Sequence, residues 1–290
     1  MKLSSKTANK SHRVLLFGPP KSGKTQLAGE LASRFKIIYF DLENGTDTLL
    51  KLAPEYQENV DVISLPDTRD YPIAIETMLK VIKGGEYQVC ETHGKVACAI
   101  CKKLPDAVWN HIHLGALGPD TIVIVDSLTQ LTNSAIAHIT KGTDELYKMQ
   151  TDDWGNLGKL MDVFLSHVQQ APFNIVCISH ETEVEMQDGK QKLVPTAGTR
   201  NFSRNTAKYF DEVIYCEVKN KKHVAASSTT YANNILTGSR TGQVLESNPG
   251  EASLIPIFTG ERVTYNPVTA KTPATTSVDA LAALKARMGK

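Results

Sequence analysis

The segment GPPKSGKT, Gly18 to Thr25, constrains this chain more than any other feature. It matches G-x-x-x-x-G-K-[ST] and lies between a strand-like run, Val14–Phe17, and a helical pattern carrying Leu27, Ala28, Leu31, Ala32 and Phe35 on one face. Glycines at these positions let successive backbone N–H groups point inward at phosphate oxygens, and a helix start adds the positive end of its dipole. The motif predicts a site for ATP lined by Gly18, Pro19, Pro20, Lys21, Ser22, Gly23, Lys24, Thr25 and Gln26. Lys24 is placed to reach the β- and γ-phosphates, and the Thr25 hydroxyl to ligate Mg²⁺.

The rest of the chain alternates strand and helix patterns. Buried strands are predicted at Ile37–Glu43, Val62–Leu65, Thr121–Ser127, Asn174–His180 and Asp211–Val218, with a further run ending at Ile235-Leu236. A helix is expected over 72–82, others after Ser127 and before Gln170, and an irregular segment over 141–158. A hairpin is expected around Asp188-Gly189. This order gives an α/β fold, a mostly parallel sheet flanked by helices. With 290 residues, one domain with a small insertion is expected: a loose tail over 1–12, a core over 13–267 interrupted at 84–106, then a linker and short helix over 268–290. No apolar run reaches the length of a membrane span, and the cytoplasm is the expected compartment. A formal net charge of +1 means that any nucleic-acid site is a local patch.

Hydrolysis needs carboxylates as well as a phosphate loop. Asp126 closes the apolar run IVIV, where a strand end sets it beside the loop as a partner of Mg²⁺. Glu43 and Asp41 both end the second strand, and alternation sends them to the same side, so periodicity does not choose between them as general base. Cys90, His93, Cys98 and Cys101 read C-x₂-H-x₄-C-x₂-C, four ligands suited to a closed, structural Zn²⁺ site. Lys95, Lys102 and Lys103 lie beside them. Two segments interleave cations with aromatics, as single-stranded DNA binding requires: Lys141, Tyr147, Lys148 and Trp154 in one, Lys190, Lys192, Arg200, Phe202 and Arg204 in the other.

The stretches YFDLENGTDTL, ISLPDTRDYPIAIE and IVIVDS, in this order after the phosphate loop, resemble the motif order of the bacterial recombinase RecA. With the cysteine cluster inserted ahead of Asp126, the chain looks most like phage-encoded RecA-like ATPases that promote single-strand annealing, an AAA-type nucleotide-binding family. The resemblance spans about residues 13–245 and implies a RecA-like P-loop core. It implies Glu43 as general base, His180, ahead of Ser179, as a γ-phosphate sensor, and Arg240 as a cation given to a neighbour's γ-phosphate. It further implies single-stranded DNA, other copies of the chain in a ring or filament, and a single-strand-binding protein as partners. The recombinase's flanking domains have no counterpart here, which favours annealing over strand invasion. Two other activities sit on such a core, a hexameric helicase or packaging motor and a nucleotide switch with little turnover.

Overall fold

A computed structural model describes residues 11–186, 189–227, 234–241 and 253–261. Its strands are β1 (Arg13–Gly18), β2 (Lys36–Asp41), β3 (Val60–Ser64), β4 (Glu86–Cys90), β5 (Trp109–His113) and β6 (Thr121–Asp126). They continue with β7 (Asn174–Glu185), β8 (Gln191–Pro195), β9 (Glu212–Lys219), β10 (Lys222–Ala226) and β11 (Gly238–Ser239). The helices are α1 (Lys24–Gly29), α2 (Pro54–Gln57), α3 (Ile73–Val81) and α4 (Leu128–Ile139), then α5 (Thr151–Gln170), α6 (Arg200–Asn205) and α7 (Ile255–Thr259).

The main sheet runs β10-β9-β1-β7-β6-β2-β3, with β8 paired to β7 and β11 to β9. From β9 to β3 every neighbouring pair is parallel, whereas β10, β8 and β11 run antiparallel. Alternation along each central strand feeds two cores. Leu15, Phe17, Val123, Val125 and Cys177 face α3, α4 and α5, while Val14, Leu16, Ile122, Ile124 and Val176 face α1 and α7. All six residues of β6 are buried, as a strand covered on both faces requires. The register sets Gly18 beside His180, Ile178 beside Asp126 and Asp126 beside Asp41, so the strand ends carrying the chemistry share one edge of the sheet.

Several boundaries differ from the sequence expectation. The segment over 84–106 is only part of a hairpin: it holds β4, whose partner β5 lies beyond it. Helix α5 takes in Thr151–Gly158, where glycines and aspartates read as loop; a Gln150–Asp153 capping box starts it. Strand β7 runs on past His180 to Glu185, since pairing with β8 extends it beyond the sheet. Strand β10 was not expected; a turn with Asn220 and Lys221 both at positive φ returns it antiparallel onto β9. Ile235 forms an isolated bridge to Leu193 and belongs to no strand. Ser11 and His12 are already tied to Ala171 and Asn174, so the core starts before 13. One compact unit ends at Gly260, and the expected boundary at 267 lies outside the described residues. Asp188, the linker over 268–277 and the helix over 278–288 lie outside the described residues. Among the described residues no helix is long and apolar enough to cross a membrane.

Candidate active site and metal centre

The loop between β1 and α1 depends on two glycines in particular. A Cβ on Gly18 would come within 2.0 Å of the Cys216 carbonyl oxygen, and Gly23, at φ +89°, lies against the His223 ring. Lys24 follows, 5% exposed, with its ammonium folded back on the loop: it donates to the carbonyls of Gly18 (3.0 Å) and Pro19 (2.7 Å) and lies 3.3 Å from Ser22 Oγ. Burial lowers its pKa, and nearby acidic groups, Asp126 and Glu43 among them, work against that shift. The cation thus sits on neutral carbonyl acceptors at the mouth of a cleft of about 480 Å³, a donor set that suits an anionic phosphate chain.

Asp126 reaches this cleft from two strands away. Its Oδ2 accepts from Thr25 Oγ1 at 2.7 Å and from the Tyr39 phenol at 2.6 Å. Burial pushes its pKa up, and the two hydrogen bonds oppose the rise. A threonine hydroxyl donating to a carboxylate at the end of the phosphate loop fits a Mg²⁺–nucleotide, which Thr25 and Asp126 would hold.

The two candidate bases separate. Asp41 is 2% exposed, and its Oδ1 accepts from the backbone N–H of Glu43 (3.2 Å) and Gly45 (3.1 Å), so its carboxylate shapes the turn after β2. Glu43 lines the cleft with Lys24, Asp126 and His180. Ser127 Oγ donates a short hydrogen bond to Glu43 Oε1, and His180 Nε2 lies 3.5 Å from the same oxygen. Burial would raise the Glu43 pKa, but the bonds from His180 and Ser127 outweigh it and leave the carboxyl below its ordinary value. Glu43 is therefore held ionised at the cleft, as a water-polarising base must be.

His180 lines the cleft at the point where β7 leaves β1 and takes up β8. Its N–H donates to Thr129 Oγ1 (2.8 Å), its carbonyl accepts from Thr196 N (2.8 Å), and β7 carries on from it without a break. Ser179 is fully buried and bonds to the Thr196 carbonyl, away from the cleft.

Arg240 is held at the far end of the strands. Its guanidinium donates to the Lys208 carbonyl (2.9 Å) and lies 3.7 Å from Asp211, which also bonds Arg13. Arg13 and Asp211 stand at the start of β1 and β9, so Arg240 is at the opposite edge of the sheet from this chain's phosphate loop. Its expected role, on a neighbour's γ-phosphate, needs a second copy of the chain. Phe202 differs from expectation: it packs on the core and stacks on Tyr209 at 6.0 Å instead of standing open to solvent. Arg204 is drawn onto the Glu185 carbonyl, tying α6 to the end of β7. Tyr147 (39% exposed) and Trp154 (46%) do share one groove, with Arg69, Gln130 and Asn133.

Cys90, His93, Cys98 and Cys101 converge in the β4–β5 hairpin, their ligand atoms all within 4.8 Å of one another. His93 Nδ1 lies 3.0 Å from Cys101 Sγ and 3.8 Å from Cys98 Sγ. A tetrahedral zinc with roughly 2.0–2.3 Å bonds spaces its ligands by roughly 3.5–3.8 Å, so the cluster fits the ion with little adjustment. Burial works to raise the Cys98 thiol, but hydrogen bonds from the backbone of Cys101 and Ile100 bring it below its ordinary value, while burial and the neighbouring Cys90 and Cys98 sulfurs push the Cys101 thiol up. Thr77 Oγ1 donates to the Gly94 carbonyl (2.7 Å) and the Tyr71 hydroxyl to the His93 carbonyl (3.2 Å), clamping the cluster to α3 and the segment before it.

Tyr39 and Ser127 are the participants that sequence reasoning did not assign. Ser127 was legible as the neighbour of Asp126, whereas Tyr39 reads as one more apolar strand residue. A family model for the AAA domain matches residues 10–252, most of the chain. No curated protein matches it.

Proposed function

The chain belongs to the AAA domain family, a P-loop class that binds and hydrolyses nucleotides, and on that premise we propose that it is an ATPase acting on single-stranded DNA and promoting annealing. The observation that carries this reading is the continuity of β7, which joins the cleft at His180 to the hairpin with β8 without an intervening loop. Lys24 and the loop amides hold the phosphate chain, Glu43 orients and deprotonates the attacking water, and Thr25 and Asp126 hold Mg²⁺. When bound, that ion neutralises charge on the β- and γ-phosphates. His180, in contact with Glu43, registers whether a γ-phosphate is present, and the hairpin with Lys190 and Lys192 carries that state to DNA phosphates. The Tyr147–Trp154 groove supplies faces on which bases stack. The cysteine hairpin holds one structural Zn²⁺, a means of folding a segment too small for a core of its own.

Turnover of ATP with and without single-stranded DNA tests the proposal. The expected result is slow hydrolysis alone and a several-fold rise with DNA. Equal rates would remove DNA from the reading, and tight nucleotide binding without hydrolysis would leave a switch instead of an enzyme.

A further inference from the structure

Tyr39 is fully buried on the α1 face of the sheet, among Leu16, Ile37 and Ile124. A phenylalanine would fill that volume without burying a hydroxyl, and a buried hydroxyl is costly unless it finds a partner. The partner here is Asp126. Register places Tyr39 beside Ile124 and Asp41 beside Asp126, so the phenol points along the sheet toward the strand end and meets Asp126 Oδ2 at 2.6 Å. Thr25 Oγ1 approaches the same oxygen at 2.7 Å from the phosphate loop. Two donors from different elements thus converge on one carboxylate oxygen. One belongs to the loop that a nucleotide contacts; the other is fixed in the core and has no path to the nucleotide.

We infer that Tyr39 is a positioning residue for the Mg²⁺–nucleotide complex, locking the Asp126 carboxylate in the orientation from which it receives Thr25 and the metal. The inference rests on the nucleotide reading above. A partner that fixes a metal-associated carboxylate acts on metal affinity, and loss of such a partner typically costs about 10- to 100-fold. Binding of the bare nucleotide, which depends on Lys24 and the loop amides, does not need it.

Binding of a methylanthraniloyl-ADP probe, followed by fluorescence while Mg²⁺ is titrated, separates these effects. With EDTA, Tyr39→Phe should bind the probe as the parent does; the Mg²⁺ needed for half of the metal-dependent increment should rise at least about tenfold. The rise in Tm on adding Mg²⁺ and ADP should shrink as well. A merely structural role would lower Tm with and without ligand alike and leave the Mg²⁺ requirement alone. Should Tyr39→Phe fail to fold, the comparison moves to Asp126→Asn alone and Asp126→Asn with Tyr39→Phe. Once the carboxylate is gone, removing the phenol should change the Mg²⁺ requirement no further. A Mg²⁺ requirement within twofold of the parent in Tyr39→Phe, or additive losses in the double variant, would overturn the assignment while leaving the nucleotide reading intact. A parent that binds no probe at all would overturn both.

Discussion

The phosphate loop joins a strand to a helix and the cysteine cluster lies in a hairpin of two strands, and the two are held by different means. The loop leans on β1, β7 and β9, buried on both faces where β7 and β9 flank β1, and its polar groups are satisfied: Lys24 on Gly18 and Pro19, Thr25 on Asp126. The hairpin has two strands, a buried patch made largely of its own cysteines, and clamps from Thr77 and Tyr71. A site carried by the central sheet keeps its shape as a property of the fold. A site in a small lobe needs a ligand to hold it, and the four converging side chains are what such a ligand binds. The two regions should therefore respond to mutation independently and in different measurements.

The largest effect expected is on turnover. Glu43→Gln should keep nucleotide binding and lose about 10²- to 10⁴-fold in kcat, because the carboxylate acts on the attacking water and not on ground-state phosphates. Parental turnover would mean that the base lies elsewhere, and Asp41, spent on the turn amides, is not placed to replace Glu43. Lys24→Ala should weaken ATP binding by about 100-fold or more, measured by titration, since it removes a charge-assisted contact to the phosphates. Its zinc content should stay parental. If Lys24→Ala also loses metal, the independence of the two regions is wrong.

The reciprocal experiment is Cys98→Ser. Protein purified without added metal should carry near-equimolar zinc in the parent and little in the variant, by elemental analysis, with ATP binding retained within a few-fold. Well-folded parent without metal would end the comparison, because the hairpin would then be self-supporting. A smaller effect should follow His180→Ala. With Glu43 as the proposed base and its pKa held below its ordinary value, activity should persist as pH falls and be lost only as Glu43 takes up a proton. Removing the His180 bond should move that acid limb of kcat/KM to higher pH; an unmoved limb would separate His180 from the base.

How far these regions could be read from sequence follows from how they are held. Strands β1, β6 and the first half of β7 are continuous apolar runs because helices cover both their faces, and the phosphate loop announces itself by glycine and lysine spacing. The cysteine spacing was equally plain. Strands β5 and β10 were hidden because each is short and has a partner on one side only; WNHIH buries little beyond Ile112. Thr151–Gly158 concealed a helix start because its capping box uses Gln150, an uncommon cap. Tyr39 could not be told from core, since its role lies in a hydroxyl that meets a residue 87 positions away. Arg240 shows a different limit: its expected partner is a neighbour's γ-phosphate, which one chain does not supply, and within the chain the fold ties it to Asp211.

What joins nucleotide to DNA in this account is a single strand, β7, and its claim can be measured directly. Fluorescence anisotropy of a labelled single-stranded oligonucleotide, titrated with protein at fixed salt, compares a non-hydrolysable ATP analogue with ADP. The expected result is several-fold tighter DNA binding with the analogue, the same factor by which DNA tightens the analogue, and loss of that difference in His180→Ala with DNA binding itself retained. Equal DNA affinity with the analogue and with ADP in the parent would contradict it.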